Sequence, residues 1–147
     1  MKKQTSLYTI GFAQKKAEEF FTILKVNHIK TLIDIRQSNT NIYAGFTIRD
    51  NLRYFLKEIC GIEYMENKLF APSKELRDKY RKNFAWTDYE MDYNQLIVNR
   101  KAVDSILYSI LDSAVLLCAE PSALHCHRRL AAEMIANRYP DIQIIHL

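Results

Sequence analysis

Glycine, proline and cysteine are scarce in this chain, three of each among 147 residues, and each scarcity closes off a class of protein. So little Gly and Pro leaves no flexible linker and no low-complexity tract, and no repeat at a fixed period suggests a solenoid. Three cysteines, an odd number with no export signal ahead of them, exclude a secreted disulfide scaffold and point to reduced thiols. Long apolar runs are missing too. The opening residues, MKKQTSLYTIGF, hold an apolar run too short for a secretory core, and no segment approaches the roughly 18 apolar residues needed to cross a bilayer. These absences predict one soluble, cytoplasmic domain that does not engage a membrane. A hydrophobic content of 48% is enough to fill a single core at this length. The net charge of +4 fits an anionic ligand or nucleic acid without selecting either.

What is present is apolar periodicity of two kinds. Residues 7–11, 31–35, 62–65, 114–119 and 142–147 read as short, near-continuously apolar strands. Residues 15–27 place Ala17, Phe20, Phe21 and Leu24 at helical spacing. Residues 47–60 do the same with Leu52, Phe55, Leu56 and Ile59, closed by Gly61 as a cap, and residues 125–138 read as the helix after the fourth strand. In the less regular middle, Pro72-Ser73 opens a charged helix, and an aromatic stretch leads into a longer helix ending near Asp112. Alternating strands and helices predict the α/β class: a single three-layer, Rossmann-like domain over residues 1–147 with a mainly parallel sheet. Right-handed crossovers then collect the strand-to-helix loops at one sheet edge, where ligands of open α/β proteins bind.

That edge gathers the unusual polar residues of the chain: Gly11 and Phe12, Asp34 and Arg36, Cys118 and Glu120, then Cys126, His127 and Arg128 in the first turn of the last helix. Unpaired N–H groups and the helix dipole at such a turn favour an anion and lower a thiol pKa, which supplies the thiolate that nucleophilic catalysis requires. Arg36 and Arg128 carry planar donors suited to phosphate or carboxylate. Glu120, at the mouth of an apolar strand, reads either as a buried proton shuttle or as a salt-bridge partner of Arg36 or Arg128. Asp34 and Arg36 either present the arginine to substrate or tie their strand to the next loop, and Tyr43 with Phe46 flanks a flat ligand or closes the core. A metal reading uses Cys118, Cys126 and His125 or His127 to hold zinc or iron, with Glu120 as a fourth ligand or a partner behind the ligands. Cys-x7-Cys is not a common finger or ribbon spacing, and no second cysteine pair exists, so zinc or iron is not favoured. Cys60 reads as a small buried side chain, His28 as a residue at the C-terminal end of the first helix rather than a ligand, and His146 lies on the last strand with no companion.

Lys74, Arg77 and Arg81 share a helical face and are followed by Phe84, Trp86, Tyr89 and Tyr93. Basic residues interleaved with rings grip a nucleic-acid strand, or else form a solvated face over packed aromatics. The order of all these features resembles the DUF488 family, small bacterial and archaeal proteins of undetermined activity. The resemblance rests on the Thr9-Ile10-Gly11 turn, a strand ending in Asp34-x-Arg36, and Leu117-Cys118-x-Glu120 followed by Cys126-His127-Arg128, similar to that family's LCxE and CHR signature. Phe12 stands where family members usually carry His, and Leu69-Phe70-Ala71 where they carry Leu-Gly-Gly. Spanning residues 7–147, the resemblance implies an α/β fold and a shared pocket, and no particular reaction.

The expected function is an enzyme acting on an anionic small molecule or nucleotide, or a nucleic-acid component. Cys118, Glu120, Cys126 and His127 are its candidate catalytic groups, and Gly11, Asp34, Arg36, Tyr43 and Arg128 its candidate substrate-binding groups. The alternative is a non-catalytic nucleic-acid or protein binding module with a structural Cys/His cluster.

Overall fold

Strand side chains alternate between faces, and the apolar strands of this chain use both. In β4 (Ala114–Cys118), Ala114 and Leu116 point into one core while Val115 and Leu117 point into another. The computed structural model describes residues 4–40 and 42–147, the side chains of 42–44 excepted. With β1 (Thr5–Gly11), β2 (Thr31–Asp34), β3 (Glu63–Glu66) and β5 (Ile142–His146), β4 forms a five-stranded sheet in the order β3-β2-β4-β1-β5, parallel at every pairing. One face is covered by α1 (Ala17–Val26) and α2 (Arg49–Phe55) through Phe20, Phe21, Leu24 and Leu52. The other is covered by α4 (Trp86–Asn99) and α6 (His127–Arg138) through Tyr93, Ile97, Leu130 and Ile135. The result is a three-layer, Rossmann-like α/β domain, burying its strands on both faces as a parallel sheet requires.

The strand order positions the site. The chain steps outward from β1 to β2 to β3, returns to β4 in the gap between β1 and β2, and finishes at β5 beyond β1. Gly11 therefore stands beside Cys118 and Asp34 beside Leu117, so that three strand ends lie side by side. The ladders continue past the strands: Phe12 N donates to Cys118 O at 3.3 Å, Ala13 N to Ala119 O at 2.9 Å and Ile35 N to Leu117 O at 3.2 Å. The loops carrying Arg36, Phe12 and Glu120 are thus tied together by backbone bonds.

Three helix boundaries depart from the expected ones. The long helix expected to end near Asp112 stops at Asn99, where Lys101 takes a left-handed conformation (φ 53°); a single turn at Val103–Ser105 and α5 (Tyr108–Leu111) follow. Neither Gly nor Pro marks that break. After α2 the chain widens into a π-turn, Leu56–Cys60, ended by Gly61 at φ 66°, and the altered pitch leaves Ile59 47% exposed instead of buried with Leu52 and Leu56. Cys126 is the cap of α6, in extended conformation, not a member of its first turn.

The charged helix is α3 (Lys74–Asn83), capped by Ser73, whose Oγ accepts from Leu76 N at 3.1 Å. Phe84, left-handed at φ 50°, turns the chain back into α4. Tyr93 anchors that hairpin, since its buried hydroxyl donates to Phe70 O at 2.7 Å. Tyr93→Phe leaves the buried carbonyl unpaired and is expected to cost about 1–3 kcal/mol, read as a lower urea midpoint. Among the described residues no helix is long and apolar enough to cross a membrane.

Candidate active site

A cavity of about 430 Å³ opens at the C-terminal edge of the sheet, a volume suited to a small molecule. Cys118, at the end of β4, and Cys126, at the cap of α6, lie at its base. Phe12 and Arg36, from the loops after β1 and β2, line one side. Arg77 and Arg81 of α3, with Trp86 and Tyr89 of α4, line the opposite side, and Glu120, His125 and His127 complete the wall. Three guanidinium groups and one carboxylate thus border the cavity.

The two thiols are free and in contact, Sγ to Sγ 2.8 Å. Cys126 Sγ also caps the helix by accepting from Arg128 N at 3.5 Å, and His127 Nδ1 lies 4.0 Å from it. The Ile35 carbonyl accepts from His127 Nε2 at 3.0 Å, which leaves Nδ1 facing the Cys126 sulfur. These contacts push the two thiols in opposite directions. Cys126 is held well below the usual thiol range, chiefly by the hydrogen bond from Cys118, against the opposing pull of burial and with help from His127 and the Arg128 N–H. Cys118 is pushed well above it, first by burial and then by its bond to Cys126. The pair thus holds one proton between two sulfurs, with the charge on Cys126.

Arg36 is 6% exposed and rigidly held. Its Nε and Nη2 donate to the two oxygens of Asp34, each at 2.8 Å, and Nη2 donates also to Thr47 O at 2.8 Å. Tyr64 of β3 donates to the same carboxylate at 2.6 Å. The guanidinium lies over the Phe12 ring, 5.5 Å from its centroid, so that ring serves as a platform for the arginine. Across the cavity, Arg77 Nε is buried without a hydrogen-bond partner, a donor awaiting an acceptor. The rings of that wall are spent on one another: Trp86 stacks on Tyr89 at 5.0 Å and on His125 at 4.8 Å.

A family model described as Domain of unknown function DUF488 matches residues 16–135. The chain belongs to the DUF488 family. No curated protein and no solved structure matches it. The matched span takes in Asp34 and every residue lining the cavity except Phe12; the Thr9-Ile10-Gly11 turn lies ahead of it. Among the described residues no three His, Cys, Asp or Glu side chains come together as a metal ion would need, and the two cysteines face each other instead.

Of the residues expected at the site, Arg36, Cys118, Glu120, Cys126 and His127 meet in the cavity, and others do not. Arg128 is 1% exposed and absent from the cavity wall; Nη2 reaches Pro121 O at 3.4 Å, while Nε and Nη1 have no partner. Its charge works from behind, opposing the rise of Cys118. Asp34 is fully buried and acts through Arg36. Glu120 is exposed, because the chain has already left the sheet, so neither the burial nor the salt bridge to Arg36 or Arg128 expected of it is found. The side chain of Tyr43 lies outside the described residues. His146 does have a companion, Thr9 Oγ1 at 2.6 Å from its Nδ1.

Gly11 does not line the cavity either, and its role is close approach. A Cβ there would sit 1.6 Å from the Glu120 carbonyl oxygen and 2.5 Å from its carbon. Gly11→Ala must displace the 119–121 backbone. It is expected to cost at least about 1–3 kcal/mol in thermal unfolding and to slow alkylation of Cys126 in the folded fraction. Wild-type values in both measurements would refute this placement of the loop.

Of the basic aromatic segment, read from sequence as a separate binding surface, Arg77, Arg81, Trp86 and Tyr89 form the far wall of the same cavity, while Phe84 is exposed and Tyr93 is in the core. Tyr64 and Thr47 hold Asp34 and Arg36 without being marked as site residues by any local pattern. Nothing local in the sequence marks a tyrosine on the neighbouring strand as the partner of Asp34; only the β2–β3 register brings them together.

Proposed function

We propose that the chain is an enzyme acting on a small anionic substrate, a phosphate- or carboxylate-bearing molecule no larger than a nucleotide, with Cys126 as nucleophile. The observation that carries this reading is a thiolate-favouring sulfur pair at the base of a cavity walled by Arg36, Arg77 and Arg81. The arginines hold the anionic end of the substrate, and the cap position brings the Cys126 sulfur toward its electrophilic atom. His127, with Nδ1 turned to that sulfur, moves a proton to the leaving group or from the entering one as the bond to Cys126 forms or breaks. Glu120, exposed at the rim, exchanges that proton with solvent.

A nucleic-acid strand is less well matched, since the Trp86 ring is stacked on both Tyr89 and His125, leaving it little face for a base. Calorimetry with inorganic phosphate and with AMP tests the reading. Binding by the wild type is expected to weaken about tenfold or more for each of Arg77→Ala and Arg81→Ala, and bound AMP to shield Cys126 from iodoacetamide. Equal affinity in the double variant, or unshielded Cys126 at saturating AMP, would remove the anion from the proposal.

A further inference from the structure

We propose that Cys118 and Cys126 act together as a redox dithiol, closing reversibly to an intramolecular disulfide by exchange with a low-molecular-weight disulfide. The proposal rests on the sulfur geometry and shares with the proposed function only the choice of Cys126 as the attacking atom.

Two free thiols 2.8 Å apart need less than an ångström of movement to reach the about 2.05 Å of a covalent S–S bond. Their backbones belong to different elements, the end of β4 and the cap of α6, joined by the 119–125 loop. That loop is exposed over most of its length, so a small adjustment there disturbs no core packing. Both cysteines are nearly buried, at 1% and 3% exposure, but line the cavity, which is the side from which a small disulfide meets Cys126, whereas Cys60 lies elsewhere, its sulfur 3.8 Å from the Phe21 carbonyl.

The steps balance. Cys126 thiolate attacks one sulfur of RSSR, forming Cys126–S–S–R and expelling RS⁻, which takes a proton from solvent. Cys126 then no longer shares the Cys118 proton. Cys118 gives that proton to solvent, aided by the buried charge of Arg128, attacks Cys126 Sγ and breaks its bond to R, releasing a second RS⁻ that becomes RSH. The protein dithiol is oxidised by two electrons and RSSR is reduced to two RSH; excess RSH reverses both steps. The unpartnered Nε and Nη1 of Arg128 fit this role, since a wholly buried guanidinium beside a thiol favours the anion that the second step requires.

The test uses the whole chain, reduced and then exposed to glutathione disulfide, with free thiols trapped by a maleimide and mapped by mass spectrometry. In the wild type, Cys118 and Cys126 are expected to disappear together into one linked peptide, at least about tenfold faster than Cys60 takes up glutathione. Cys118→Ser is expected to accumulate a stable glutathione adduct on Cys126 that the wild type never does. An adduct on wild-type Cys126 with Cys118 still a thiol would overturn the dithiol. So would oxidation of Cys60 ahead of both, and neither outcome depends on a variant that must fold. The uncharged bis(2-hydroxyethyl) disulfide separates the two proposals. Closure with both reagents but no faster with the anionic one sustains the dithiol and counts against the anion-binding reading; closure with neither ends the dithiol while leaving phosphate and AMP binding to be judged by calorimetry.

Discussion

Asp34→Ala is expected to destabilise the protein by about 3–5 kcal/mol and to abolish anion binding in whatever folds, because it strands a buried charge. The carboxylate is fully buried and accepts from Arg36 Nε, Nη2 and backbone N and from the Tyr64 hydroxyl. Removing it leaves a guanidinium that is 6% exposed with the Thr47 backbone carbonyl as its remaining acceptor among the described residues, and takes away the acceptor of the Tyr64 O–H, whose oxygen keeps only the Asn39 Nδ2 donor at 3.4 Å. Tyr64→Phe is the graded control. It removes one neutral donor to the carboxylate while keeping the ion pair, so about 1–2 kcal/mol is expected, and the Asp34/Tyr64 double-variant cycle should show strong coupling. Urea unfolding of the four proteins measures both. A loss under about 1 kcal/mol for Asp34→Ala would mean that water reaches the pair and that Arg36 is not held in place by it.

How far the site was legible in the sequence follows from how its parts are held. The strands were plain, because a parallel sheet buried on both faces needs continuous apolar runs, and Ala114–Cys118 is one. The edge was predictable as well, since the crossover rule requires no knowledge of strand order. What local pattern cannot carry is distance across the chain. Arg77 and Trp86 look like a solvated basic face followed by core aromatics. Only the left-handed turn at Phe84 and the Tyr93 tether to Phe70 swing them over the cysteines. Arg128 misled in the other direction. Next to Cys126 and His127 it reads as a ligand-binding arginine. A helix turns about 100° per residue, however, and two positions past the cap its side chain points into the protein. Gly11, singled out by its place after the first strand, reads as substrate-binding, yet a glycine at a strand end is equally suited to touching ligand or backbone, and here it makes room for the Glu120 carbonyl.

The shared proton of the two cysteines sets the second large effect. Iodoacetamide is expected to alkylate Cys126 at a rate that barely changes from mildly acidic to alkaline pH, whereas an ordinary thiol slows about tenfold for each unit below its pKa of about 8.5. Cys118→Ala removes the principal cause of the lowered Cys126 value, so its reactivity at mildly acidic pH should fall tenfold or more and regain an ordinary pH slope. The same pair bends stability against pH, with a sign that can be worked out. Below about 8.5 the unfolded chain carries both thiol protons and the folded pair carries one, so raising the pH toward that value favours the fold. Above it the unfolded chain has lost both while Cys118 still holds its own, so a further rise disfavours the fold. The contribution of the pair therefore peaks near the ordinary thiol pKa. It should vanish in the Cys118→Ala, Cys126→Ala double variant when urea midpoints are compared from mildly acidic to strongly alkaline pH. A difference curve without a maximum, or a Cys126 alkylation rate that climbs with pH as steeply as a free thiol's, would show that the sulfurs titrate independently and that no thiolate waits at the base of the cavity.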